Sequence, residues 1–176
     1  MKKYIALLRG INVGGKNLIP MQALITEFEK LGAKDIATYI QSGNVVFSGS
    51  ASLAKQLPEQ LPKAVQAAFG FTPQLLILEP KALAEAVNKN PFSAQDPKAL
   101  HYYFLAELPK DPNMEGLDTA CSASEAYTLD GQICYLSAPD GIGRSKLAAK
   151  MEKCLGVPTT ARNARTVGKL IQMADD

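Results

Sequence analysis

Nine residues near the N-terminus, Arg9-Gly10-Ile11-Asn12-Val13-Gly14-Gly15-Lys16-Asn17, combine three glycines, two asparagines and two cations with no acid. Glycine lets a loop turn tightly and brings bare backbone against a ligand. Successive amides beside cations can then form an anion nest. Gly10 to Lys16 also fits the phosphate-loop pattern G-x-x-x-x-G-K. Three features stop the resemblance there. Asn17 stands where a phosphate loop has its magnesium-holding Ser or Thr. Pro20 lets a helix begin only around itself, whereas a phosphate loop runs straight from its lysine into a helix. No strand ends in a metal-holding aspartate, Leu78-Glu79 being the nearest substitute. The loop is therefore read as an anion-binding turn rather than an NTPase motif, against the plain alternative of a turn that needs glycine for backbone reasons alone.

The other candidate chemistry lies at the far end of the chain. Residues 1–20 carry four cations and no acid, and residues 141–170 carry seven cations against Glu152. Residues 21–140 hold eight cations and fourteen acids, so the net charge of +2 conceals a strong partition. All four arginines, Arg9, Arg144, Arg162 and Arg165, fall in the two basic segments. The arginine fork suits phosphate or carboxylate. Gly141 to Lys146 and Arg162 to Thr166 each open a predicted helix, and helix N-termini attract anions through their unpaired amides and dipole. Cations at such a position oppose the dipole, and a bound anion explains them. The alternative is that Ser145 and Asn163 or Thr166 are ordinary caps with solvated charges beside them. The ligand-binding set is Arg9, Asn12, Gly14, Gly15, Lys16 and Asn17, with Ser42 and Asn44 of the first hairpin, and Arg144, Ser145, Lys146, Arg162, Asn163, Arg165 and Thr166.

Other chemistries lack their residues. His101 is the only histidine, lies in an apolar run and has no nucleophile motif to go with it, so no Ser-His-Asp or Cys-His spacing can be argued. No HxxxH, CxxC or aspartate cluster suggests a metal, and no cofactor is called for. Glu27 and Glu29 are expected on a solvated helix face. Ring-stacking on RNA needs a motif that is absent, and Tyr102, Tyr103 and Phe104 are consecutive, so they alternate faces. Cys121, Cys134 and Cys154 are odd in number and widely spaced, as reduced packing residues of a cytoplasmic protein are. The apolar stretch after Met1-Lys2-Lys3 ends at Arg9, too short for a signal peptide, and no run reaches membrane-span length. With 47% hydrophobic and 20% charged residues, the 176-residue chain suffices for one sizeable core or two small ones.

The elements that position these residues follow from periodicity. Tyr4 to Arg9 reads as a buried strand. Met21, Leu24, Ile25, Phe28 and Leu31 make one helical stripe ended by Gly32. Ile36 to Gln41 and Asn44 to Ser48 are strands joined by Ser42-Gly43. Leu53, Leu57, Leu61, Val65 and Phe69 are helical in spacing but interrupted by Pro58 and Pro62, which predicts a broken helix. Gln74 to Glu79 completes a βαββαβ unit. Lys81 to Asn88 is a linking helix, and Asn90-Pro91 and Asp96-Pro97 bound a loop. Leu100 to Glu107 is a strand, Asp111 to Leu117 a loop or single turn, and Glu125 to Leu129 and Gln132 to Ser137 form a hairpin across a type I′ Asp130-Gly131 turn. A helix from Ser145 to Gly156, a short strand within Val157 to Ala161 and a last helix with Val167, Leu170, Ile171 and Ala174 inward complete the order. The fold is α+β: two related ferredoxin-like units, antiparallel sheets with helices on one face, and a closing helix. The expected divisions are 1–80, a link over 81–99, and 100–176.

The stretches ALLRGINVGGKN, TYIQSGNVVFSG and TARNARTVGKL, in that order, resemble the bacterial family called domain of unknown function 1697, from Tyr4 to Met173. The resemblance implies a two-part α+β fold with related ferredoxin-like halves and no assigned reaction. Ala164 departs from the family's last motif, which usually has an aromatic residue there, often tryptophan.

These residues support a cytoplasmic protein that binds a phosphate-bearing ligand, a nucleotide or nucleic acid, with the chain's two basic ends brought together. An enzyme acting on a small anionic metabolite through Lys16 or a tyrosine is one alternative. A structural role with the glycine-rich loop as an oligomer interface is another.

Overall fold

The computed structural model describes residues 1–92 and 95–176. Ser93 and Ala94, inside the loop expected between Asn90-Pro91 and Asp96-Pro97, lie outside the described residues. The chain divides into two compact units: Met1–Ala84 with Lys169–Asp176, and Glu85–Gly168.

The first unit holds β1 (Lys2–Arg9), α1 (Met21–Lys30), β2 (Lys34–Tyr39), β3 (Asn44–Gly49), α2 (Ala51–Phe69) and β4 (Gln74–Leu78), and α3 (Pro80–Asn88) follows. Its sheet order is β2-β3-β1-β4, antiparallel throughout, which is the ferredoxin-like arrangement. Tyr4, Ala6 and Leu8 alternate along β1 onto the helix side with Val45, Phe47, Leu24 and Phe28. Ile5, Leu7 and Val46, on the opposite face, are as completely buried.

Local expectations fail in three places here. The helix expected to break is one continuous helix, with Pro58 and Pro62 inside it. Each interior proline costs about 3 kcal/mol relative to alanine, but Leu53, Leu57, Leu61 and Val65 are buried along one side. At about 2 kcal/mol for each buried aliphatic side chain the stripe offsets that loss, and Pro62 is itself buried. Glu27 is only 7% exposed rather than solvated, and Lys30 reaches its carboxylate at 2.8 Å. The first hairpin has a four-residue connection, Ile40 to Gly43, because Tyr39 pairs directly with Asn44. The Asn44 amide holds that turn, donating to Tyr39 O at 3.1 Å and to Ser42 Oγ at 2.9 Å.

The second unit repeats the order with β5 (Leu100–Leu105), α4 (Met114–Ala120), β6 (Ala126–Asp130), β7 (Ile133–Ser137), a 3-10 turn (Ile142–Arg144), α5 (Lys146–Leu155) and β8 (Thr159–Asn163), before α6 (Ala164–Asp175). The sheet order β6-β7-β5-β8 is again antiparallel. Tyr103, Cys134, Leu136, Leu147, Met151 and Leu155 fill the helix side. Tyr102, Phe104 and Tyr135 occupy the other face. There Asn90 Nδ2 donates to Tyr102 Oη at 3.0 Å, and Tyr135 Oη donates to Ala86 O at 2.8 Å. The second hairpin turns at Gly131-Gln132, with Asp130 paired to Ile133. Only Gly131 of those two has a positive φ, so the turn is not the expected type I′.

Candidate functional site

The first candidate surface is the end of sheet 1 where β1 and β2 finish and β3 and β4 begin. Gly14 and Gly15 have φ of +58° and +72°, and Lys16 N–H donates to Val13 O at 3.0 Å. This is the geometry of a type I′ turn, which requires left-handed backbone at both central positions. One of the amides expected in an anion nest, that of Lys16, is therefore engaged within the turn. The asparagines also work inward. Asn12 Nδ2 donates to Ile19 O at 3.0 Å and to Gln41 O at 2.9 Å, and Asn12 Oδ1 accepts from Ile19 N–H at 2.8 Å. Asn17 Nδ2 donates to Gly10 O at 2.8 Å. Both asparagines sit at φ +52°, a conformation their short polar side chains tolerate.

The two hairpin residues are equally occupied. Asn44 is fully buried, and Ser42 receives its amide. Leu8 N–H donates to Gly43 O at 2.8 Å, drawing the hairpin turn onto β1. Arg9, at the end of β1, places Nη1 3.4 Å from Gln74 Oε1, and Lys16 is exposed at the tip. Thus Arg9, Asn12, Gly14, Gly15, Lys16, Asn17, Ser42 and Asn44 do share one end of unit 1, joined through Asn12 and Gly43. Asn12, Asn17 and Asn44 are the fasteners of that end.

In the second unit a cleft of about 370 Å³ is formed by the end of α4 (Thr119 to Cys121), the turn after it with Ser122 and Glu125, and the segment Asp140 to Lys146. Ser145 caps α5, its Oγ accepting from Ala148 N–H at 3.0 Å. Arg144 and Lys146 are exposed on either side of that cap. Among the described residues neither cation has an ion-pair partner. The two carboxylates of the cleft both accept from the turn after α4: Glu125 Oε2 from Ser122 N–H at 3.1 Å, and Asp140 Oδ2 from Ser124 Oγ at 2.5 Å. The Cys121 thiol is pushed up by burial and by the nearby Glu125 and Asp118 carboxylates, which leaves it protonated at neutral pH and a poor nucleophile. Burial and the hydrogen bond to Asp118 Oδ1, at 2.5 Å, push the Tyr127 phenol up as well.

The last group of expected residues divides. Arg162 does not open a helix; it lies in β8 opposite Tyr102, because the strand runs through Asn163 directly into α6. It donates to Ala161 O at 2.8 Å, and burial pulls its guanidinium down to about 10. Asn163 caps α6, its Oδ1 accepting from Thr166 N–H at 2.9 Å. Thr166 is buried and Arg165 exposed. Both helix starts, after β7 and after β8, lie at the end of sheet 2 where β5 begins. Cys121, Glu125 and Asp140 line the cleft without having been singled out from the sequence. Nothing in their spacing joins residues 15 or more apart, and only the return of β7 alongside β6 brings them together. Among the described residues no cluster of histidine, cysteine or acidic side chains could hold a metal.

A family model described as "Protein of unknown function (DUF1697)" matches residues 1–135. The chain belongs to this family. The match takes in the whole loop-and-hairpin end of unit 1 and stops before Arg144. The chain is also similar along nearly its whole length to the solved structure of a conserved bacterial protein from Streptococcus pneumoniae, with 26% identity, 98% of each chain covered and a TM-score of 0.69. No curated protein matches. No helix among the described residues is long and apolar enough to cross a membrane, and the three cysteines are free thiols.

Proposed function

We infer that this member of the family binds a phosphate-bearing anion, and that the cleft at the start of α5 receives it. The observation supporting this is the placement of Arg144 and Lys146, two cations without ion-pair partners among the described residues, beside a helix N-terminus inside one cleft. The first-turn amides that the Ser145 cap leaves over have no intrahelical acceptor, and they add to the attraction for negative charge. The cleft volume lies in the range of small-ligand sites, which favours a nucleotide over a nucleic acid chain. Glu125 and Asp140, which also line the cleft, are acceptors suited to sugar hydroxyls or base amino groups. The inward hydrogen bonds of Asn12, Asn17 and Asn44 move the reading away from the glycine-rich loop. Thermal melting with inorganic phosphate, mononucleotides and short oligonucleotides across a salt series tests it. A bound anion must raise the melting temperature by mass action, and Arg144→Ala with Lys146→Ala should abolish the rise. No shift with any of these anions overturns the reading.

A further inference from the structure

We propose that the end of unit 1 formed by the glycine-rich loop and the first hairpin turn is a docking surface for an acidic protein segment that presents aliphatic side chains among its carboxylates. Val13, Leu18 and Ile40 are 65%, 64% and 54% exposed, among the most exposed large hydrophobic side chains described. They are far apart in sequence but share one fastening. Asn12 adjoins Val13, and its amide bonds Ile19, next to Leu18, and Gln41, next to Ile40. The three aliphatic residues are therefore displayed around a single asparagine whose donors are both engaged.

Ile40 sits at φ +50°, a conformation that is an outlier for a β-branched residue and persists only where its surroundings impose it. Asparagine or glycine would be the unstrained choice there. A rigid loop that exposes apolar side chains at a strained position loses little freedom on binding, and exposed apolar groups gathered in one place mark interaction sites.

Charge selects the occupant. The three loops at this end, residues 10–20, 40–43 and 70–73, contain no acid, and Lys16 stands at the tip with Arg9 at its base. A second copy would set like charges against each other. A single-stranded nucleic acid would call for aromatic stacking platforms and a duplex for several phosphate-contacting cations, whereas these exposed side chains are aliphatic. An anionic bilayer would call for a cluster of several basic residues. A protein segment alternating acidic and aliphatic side chains meets both the charge and the apolar surface.

The test is selection from a displayed library of random peptides on the intact protein. The wild type should enrich sequences with Asp or Glu interspersed among Leu, Ile, Val or Phe. The combined variant Val13→Ser, Leu18→Ser, Ile40→Asn should bind the selected peptides about tenfold more weakly or worse, as loss of central apolar contacts does. Lys16→Glu should lose the acidic preference. If the combined variant melts earlier than the wild type, Leu18→Ser alone serves, with a smaller but measurable loss. Overturning results are no enrichment, enrichment indifferent to these substitutions, or a loss confined to self-association, to oligonucleotide binding or to binding of phosphatidylserine vesicles.

Discussion

In the first unit the ring contacts lie on the helix side of the sheet: Tyr4 stacks on Phe47 at 5.6 Å, and Phe28 lies 5.5 Å from the same ring. In the second unit they lie on the other face, where Tyr102 meets Phe104 at 6.1 Å and Tyr135 edge-on at 5.4 Å. The backbones nevertheless correspond closely. Leu8 N–H donates to Gly43 O at 2.8 Å, and Leu105 N–H donates to Gln132 O at the same distance. On that register His101 takes the place of Tyr4, and Tyr135 that of Val46. One strand order therefore accepts its large residues on either face, because successive side chains alternate and only volume has to be conserved.

The candidate sites differ in the same way. In unit 1 they cluster where β1 ends, built from a long stapled loop. In unit 2 they cluster where β5 begins, built from helix starts. The loop after β5 carries no counterpart of Asn12. It is tied by backbone bonds, Ala106 N–H to Pro158 O at 2.9 Å and Asn113 N–H to Cys154 O at 2.7 Å, and Asn113 then caps α4, its Oδ1 accepting from Gly116 N–H at 2.8 Å.

The comparison can be broken at several points. The largest effect is expected at the two hairpin glycines. A Cβ on Gly43 would lie 2.7 Å from Leu8 Cβ and 3.1 Å from Leu8 O, at φ +80°. One on Gly131 would meet nothing, at φ +60°. Gly43→Ala should lower stability by about 3 kcal/mol in urea denaturation, combining backbone strain with a clash. Gly131→Ala should lower it by about 1 kcal/mol, from strain alone. Equal values would mean that the two turns are not held differently. Next is the staple: Asn12→Ala removes three hydrogen bonds and should cost about 2 kcal/mol, against about 1 kcal/mol for the cap variant Asn113→Ala.

The helices give a smaller contrast of opposite sign. Pro58 is exposed in α2, whereas α5 has no proline, so Pro58→Ala should stabilise by about 1 kcal/mol, short of the full propensity difference because proline also restricts the unfolded chain.

The smallest expected effect separates His101 from Tyr4. Burial lowers the folded pKa of His101 below its ordinary 6.5, with the backbone bond to Ala99 opposing. The unfolded chain then binds the proton more readily. Stability from the neutral ring is complete above about pH 6.5 and is lost as the pH falls through that value toward the lower folded pKa. A His101→Gln variant should show a flatter urea midpoint between about pH 7 and pH 5. A profile identical to that of the wild type would rule out this contribution.

Much of the fold was legible in the residues. The stripe Leu24, Phe28 and the caps Ser145 and Gly156 are local signals, and each marks its element. The unbroken α2 was not legible, because proline acts locally while the burial of Leu57, Leu61 and Val65 depends on the sheet beneath. Glu27 was misread for a similar reason: its spacing is that of a solvated face, and only its neighbours bury it. Of the candidate site, Arg144, Ser145 and Lys146 were visible as a basic helix start. Cys121, Glu125 and Asp140 were not, since the pairing of β6 with β7 places them there.

Composition, charge partition and periodicity by themselves determined two antiparallel βαββαβ units, a glycine-rich turn after the first strand and cations gathered at the chain's two ends. These are properties of residues near one another in sequence, where spacing and turn chemistry act directly. Tertiary structure alone decided what the polar residues do. It turned Asn12, Asn17 and Asn44 into fasteners, sent Arg162 into a strand, and left Arg144 and Lys146 beside a cleft. Hydrogen-bond partners and burial are set by which segments the sheets bring within about 3 Å of one another, and sequence spacing carries no record of that.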